Sequence, residues 1–131
     1  HTRLQGDWSS DVCSSDLRLA MMVATMHRGG LHHQDLYLNH VLWVGDLADG
    51  PPDLRLIDLG RVSRMGLFRR RWIGKDLAQL AYSAAGVPRS IQVRFLRAYL
   101  GRRLNRSDRP WLARIVGKAR RIDRHTRKHQ L

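Results

Sequence analysis

The chain has 131 residues, 24 Lys+Arg against 11 Asp+Glu, a formal charge of +13 and 43% hydrophobic residues, with no run approaching the ~18 apolar residues that a membrane span needs. Every acidic residue is an aspartate, which excludes chemistry built on glutamate, such as HExxH zinc hydrolysis, EF-hand calcium binding and glutamate-based deamination. A single cysteine, Cys13, excludes an internal disulfide framework and any Cys-x-x-Cys metal site and makes a reducing, cytoplasmic setting the default.

The first seventeen residues, HTRLQGDWSSDVCSSDL, differ from the rest: they repeat Ser-Ser-Asp, show no apolar period and hold the only cysteine. Back-translated, His1–Arg3 and Asp7–Asp16 resemble the constant halves of a short-read sequencing-library adapter, with Leu4–Gly6 where its index would fall. Residues 1–17 are therefore expected to be an adapter-derived artefact, disordered and outside the fold. The domain is expected over 18–131, as a C-terminal fragment whose natural chain continues upstream of Arg18. Residues 1–17 hold one arginine and three aspartates, so the remainder is two charges more positive than the whole.

From Arg18 to Arg28 the spacing of Leu19, Met22, Val23 and Met26 predicts an amphipathic helix that Gly29-Gly30 stops. Leu31–Gln34 reads as a short extended piece, and DLYLN as a loop leading into a strand over His40–Val44. The turn formers of Gly45–Asp53 and a second strand at Leu54–Ile57 complete a hairpin. The basic stretch RVSRMGLFRRRW reads as a loop, and Lys75–Ala85 as a buried helix ended by Gly86-Val87-Pro88. Ile91–Leu100 repeats the helical pattern with Ser90 as its cap. A final helix begins with Ser107 or Asp108 as its N-cap and Pro110 in its first turn; it turns Trp111, Ile115, Ala119 and Ile122 inward, and its tail over residues 120–131 is expected to fray. The sum is an α+β unit, mostly helical, with one small hairpin.

The hairpin converts spacing into proximity. If Val41 faces Ile57, then His40 faces Asp58, and opposite residues in such a ladder lie ~4.5–5.5 Å apart. Asp35 enters the same corner through its tight loop. Each residue alone has an ordinary explanation: Asp35 as a turn cap, Asp58 as a strand end, His40 as a half-buried histidine. Together, two carboxylates and an imidazole are costly to bury without a cation or a substrate.

The order H-x-D-x4-H, a hairpin, then D-L-G also resembles the catalytic core of the protein-kinase-like fold. His33-Gln34-Asp35 matches its H-x-D, His40 falls at the metal-binding Asn, and Asp58-Leu59-Gly60 matches D-F-G. Within that superfamily HHQDLYLNHVLW, LRLIDLGRV and RRRWIGKDLAQLAYS resemble the Kdo/WaaP family of lipopolysaccharide-core kinases, from about Leu19 to Leu100. The resemblance implies the C-terminal lobe of a protein-kinase-like fold without its N-terminal lobe, with ATP and Mg²⁺ as cofactors. It implies that Asp35 orients or deprotonates an acceptor hydroxyl, that Asp58 and His40 organise the metal, and that His33 and Asp76 support the catalytic loop. Tyr37, Arg64, Arg69, Arg70 and Arg71 would contact the acceptor, a Kdo or heptose of the lipopolysaccharide inner core. The site of action would be the cytoplasm, or the cytoplasmic face of the inner membrane with peripheral attachment.

A Gly-rich loop, a strand lysine and its glutamate partner are all missing, and Lys75, Lys118 and Lys128 lie in no VAIK-like strand. The chain alone is therefore expected to be inactive. The alternatives are another kinase-like phosphotransferase and, from the charge, a basic nucleic-acid-binding domain. The second is disfavoured because Trp43, Trp72 and Trp111 occupy expected core positions instead of alternating with arginines on one face.

Overall fold

The structure is a computed structural model that describes residues 2–3, 14–44 and 53–129. Helix α1 spans Ser14–Arg28 and so begins one turn before the expected start at Arg18. Asp16 explains the extension. It sits in the first turn, where a carboxylate complements the helix dipole, and it accepts Nε and Nη2 of Arg94 at 2.8 and 2.9 Å. Ser14–Leu17 thus form the first turn of α1. A two-residue strand β1, Thr2–Arg3, pairs antiparallel with the strand at Val41–Val44. Residues 1 and 4–13, including Cys13, lie outside the described residues, as do residues 45–52 of the turn expected over Gly45–Asp53.

The buried face of α1 is Leu19, Ala20, Val23, Ala24 and His27, while Met22 and Met26 pack only at its edge. The alanines, absent from the expected stripe, let the helix approach its neighbours closely. Gly30, at φ +83, ends α1 with its amide on the His27 carbonyl, the left-handed stop that glycine adopts without a Cβ clash.

Strand β2 (Leu31–His32) pairs antiparallel with β5 (Ser63–Arg64), in a stretch expected to be loop throughout. The central sheet joins β1, β3 (Val41–Val44) and β4 (Asp53–Leu56). The β3–β4 register differs by one residue from the expected one: Val41 faces Leu56 and Trp43 faces Leu54. This slip sets apolar residues opposite one another and leaves Arg55 on the exposed face, which the other register would not. A 3₁₀ turn at Leu38–His40 takes His40 out of the strand, and its carbonyl accepts the Ile57 amide at 2.9 Å.

Helix α2 (Arg69–Ser83) begins six residues before Lys75, because the Arg69–Arg71 run is itself a good helix former. Helix α3 (Arg89–Leu100) is entered from the extended Pro88, so Ser90 lies inside the first turn and caps nothing. A 3₁₀ turn at Arg106–Asp108, capped by Asn105 in a reciprocal box with Asp108, leads into α4 (Arg109–His129). α4 continues to His129 where fraying was expected, supported by an Asp123–Arg127 pair one turn apart at 3.2 Å. The four helices and the sheet enclose one core: the α1 stripe, Leu36, Leu38, Val41, Leu54, Leu77, Ala78, Leu80, Tyr99 and Ile115.

Candidate active site

The loop from His33 to Leu38 is suspended from one face of α2. Asp76, fully buried, accepts the amides of His33 and Gln34 at 2.9 and 3.0 Å. Its Oδ2 also accepts His27 Nε2–H at 2.8 Å, and the other nitrogen of that ring meets the Tyr99 hydroxyl at 2.7 Å. One turn on, Gln79 accepts the Leu36 amide at 2.9 Å and donates to the Gln34 carbonyl at 2.7 Å. One further turn on, Ser83 Oγ accepts the Leu38 amide at 3.0 Å. The two remaining amides are satisfied inside the loop: that of Asp35 by His33 Nδ1 at 3.1 Å, that of Tyr37 by the Asp35 carbonyl at 2.9 Å. Every backbone donor from His33 to Leu38 therefore has an acceptor, which allows an irregular segment to sit rigidly against a core. Gln34, at φ +73, makes the sharp turn.

Burial pushes the Asp76 carboxyl up, but the bonds from His27 and the two amides outweigh it and hold the group below the ordinary carboxylate value. Tyr99 is pushed up to about 12, by burial first and then by the charge of Asp76. Asp76 and His33 thus both hydrogen-bond to the backbone of the loop. Gln79, Ser83, His27 and Tyr99 were not anticipated in that role. Their signal was present: Asp76, Gln79 and Ser83 are polar residues at spacings of three and four on the stripe that also buries Leu77 and Leu80.

His33 joins the loop to the hairpin. An amide can only donate, so His33 Nδ1, which receives the Asp35 N–H, is the bare nitrogen, and Nε2–H donates to the Ile57 carbonyl at 3.0 Å. The next residue, Asp58, adopts the left-handed conformation at φ 61 and ψ 56. That turn, and not ladder pairing, brings its side chain back to His40, with Oδ2 3.3 Å from His40 Nε2. The expected His40–Asp58 juxtaposition therefore forms in a register that would not by itself have made it.

His40 Nδ1–H donates to the Asp35 carbonyl at 2.7 Å. Its Nε2 faces the Asp58 carboxylate oxygen, on the exposed side of the corner. The Asp35 carboxylate takes a different partner, accepting Arg61 Nη1–H at 3.2 Å. The corner thus holds Asp35, His40, Asp58 and Arg61, with the imidazole between the two aspartate residues and the guanidinium on Asp35. Among the described residues no three metal-binding side chains gather on one point. A divalent cation here would be held by Asp58, with His40 behind it and phosphate and water oxygens completing its shell. That donor set suits Mg²⁺, which typically uses one or two carboxylates plus substrate oxygens.

The other expected site residues are dispersed. Tyr37 is half-buried, with its ring edge-on to His40 and Tyr82 at 6.1 and 6.3 Å between centroids, and burial raises its hydroxyl above the ordinary value. Arg64 lies in β5 opposite Leu31. Arg69 donates to the His27 carbonyl at 2.8 Å, and Arg71 lies over the Trp72 ring. Arg69, Arg70 and Arg71 line a cleft toward α4 whose walls include neither Asp35 nor Asp58. Arg61, which carried no role in the sequence reading, is the arginine that reaches Asp35.

An aspartate-bearing loop clamped by a buried carboxylate of a following helix, and facing a second aspartate at the end of a hairpin, defines the catalytic half of a protein-kinase-like fold. The profile of the lipopolysaccharide kinase (Kdo/WaaP) family matches residues 5–99, and the chain belongs to that family. It is 39% identical over 111 residues to the lipopolysaccharide core heptose(I) kinase WaaP of Pseudomonas aeruginosa, covering 79% of this chain and 41% of that protein. It is 31% identical over 121 residues to the protein of the same description from Escherichia coli K12, covering 87% and 46%. A solved structure described as WaaP in complex with acyl carrier protein superposes with a TM-score of 0.72 at 34% identity, over 88% of this chain and 53% of that one. The chain spans less than half the length of these curated relatives.

Proposed function

We propose that these residues form the catalytic half of an ATP-dependent kinase that phosphorylates a sugar hydroxyl of the lipopolysaccharide inner core. Heptose is favoured over Kdo, because the relatives that align are described as heptose(I) kinases. The observation that carries the reading is the corner itself: Asp35 on a fully bonded loop, and Asp58 turned onto His40 by a left-handed backbone.

Asp35 accepts the proton of the acceptor hydroxyl, and the loop's bonds to Asp76, Gln79 and Ser83 fix where it does so. Arg61 orients the Asp35 carboxylate before substrate arrives. Asp58, with His40 beside it, would hold the Mg²⁺ that offsets the charge of the ATP phosphates. His33 keeps the two aspartates in register by tying the loop to Ile57. The Gly-rich loop and strand lysine needed over the phosphates are absent from the sequence, so the chain by itself is inactive. Among the described residues no helix is long and apolar enough to cross a membrane. The reading places the kinase in the cytoplasm, meeting its lipid-linked acceptor at the inner membrane's cytoplasmic face.

The test is a chimera of this chain with the N-terminal half of the Pseudomonas aeruginosa relative, assayed for phosphate transfer from ATP to core oligosaccharide. Asp35→Asn should lower turnover ~10²–10⁴-fold, the range for loss of a general base, with the fold intact by circular dichroism. Full activity in that variant refutes the assignment.

A further inference from the structure

A second site lies away from the Asp35 corner. The loop at Gly66–Phe68, the first turns of α2 and the inner face of α4 enclose a cleft of about 1140 Å³, as large as the biggest small-molecule pockets. Arg70 and Arg71 reach it from α2, and Arg114 and Lys118, one helical turn apart, from α4. The only acid in its wall, Asp108, is already taken by Arg102, through bonds of 2.9 and 2.7 Å. Among the described residues no carboxylate pairs with Arg70, Arg71, Arg114 or Lys118.

Lys118 is held in place despite this repulsion. Its stem crosses α2 at Gly74, where a Cβ would stand 3.2 Å from Nζ, and the ammonium donates to the Arg71 carbonyl at 3.3 Å. Burial, then Arg71, Arg121, Arg114 and Lys75, all push its pKa down. Like charges gathered in a concave wall without a counter-charge favour a polyvalent anion. The N-terminus of α2, which opens on the same space, adds to that field. Phe68 and Trp111 supply apolar wall for the rest of a ligand.

We propose that this cleft binds a small phosphorylated compound through two or more phosphate groups, held by Arg70, Arg71, Arg114 and Lys118. The site stands independently of the phosphotransfer reading, since none of its residues belongs to the Asp35 corner.

The probe is inorganic pyrophosphate, titrated into the whole 131-residue chain by calorimetry. Saturable one-to-one binding is expected. The double substitution Arg70→Gln/Arg114→Gln, at two exposed positions, should weaken it about tenfold or more, whereas Arg70→Lys/Arg114→Lys, which keeps the charges, should retain most of it. Asp35→Asn and Asp58→Asn should leave it unchanged. Those two variants separate this proposal from the kinase reading: pyrophosphate bound at the Asp58 corner would respond to Asp58→Asn and not to the arginine pair, which overturns the cleft. Absence of binding, or equal affinity in the Gln pair with circular dichroism unchanged, also overturns it. Capture by phosphatidylglycerol vesicles or by duplex DNA that pyrophosphate fails to displace would assign the cations to a lipid surface or a nucleic acid, and the small-molecule site would fall.

Discussion

Asp76 is the residue on which the corner depends most, because three donors converge on a carboxylate with no access to water. Asp76→Asn keeps the shape but turns one acceptor into a donor facing an N–H. It should cost about 3 kcal/mol or more, read as a lower urea midpoint. Acid should act through the same group: its folded pKa lies below the unfolded value, so its contribution is present above pH ~4 and is lost as pH falls through the folded value. His32 adds a second, milder effect. It is buried and stacked on Trp72 at 4.5 Å, its Nε2 lies 3.2 Å from Ser63 Oγ, and its Nδ1 has no partner among the described residues. Burial lowers its pKa. Stability from neutral His32 is therefore full above about pH 6.5 and declines as pH falls from there through the depressed folded value. His32→Gln should abolish that part of the pH dependence; a midpoint with the same decline below about pH 6.5 would exclude His32 as its source.

Among the elements, α2 does more than fill the core, since its polar stripe supplies acceptors for the 33–38 loop. Ser83→Ala should strand the Leu38 amide, cost about 1–3 kcal/mol and lower chimera activity without abolishing it; an unchanged urea midpoint would show that water replaces the hydroxyl. Gly74→Ala tests the crossing of α2 with α4. The added Cβ meets only the end of the Lys118 side chain, which can swing aside, so the gain in helix propensity, up to ~1 kcal/mol, should prevail and raise the midpoint. Helix α2 was legible in Lys75–Ala85 because its apolar stripe is periodic. Its first six residues were not, because an arginine run carries no apolar period, and Phe68 offers no side-chain cap. The β3–β4 register was misread for a related reason. A short ladder is fixed by which apolar residues meet and by the 3₁₀ turn before it, and neither the turn at His40 nor the left-handed Asp58 has a strong local signature.

At the scale of the whole molecule, four helices meet around a core that is modest for its surface, so distant ties matter. The bond from Asp16 to Arg94 is one of them, linking the start of α1 to α3. Asp16→Ala should lower the urea midpoint by the equivalent of about 1–3 kcal/mol, and no change would show that the fold begins after this turn. The kinase-like order of motifs was legible because it lies in contiguous segments, H-x-D, D-L-G and the α2 signature. The basic cleft was not, because its cations come from helices more than forty positions apart in the sequence.

That separation bears on communication across the protein. A single fifteen-residue rod, α2, touches Lys118 near its start through Arg71 and grips the 33–38 loop with Asp76, Gln79 and Ser83 farther along. Close-packed interiors do not absorb small displacements. Whatever settles between α2 and α4 therefore rests against the same helix whose side chains hold the 33–38 loop.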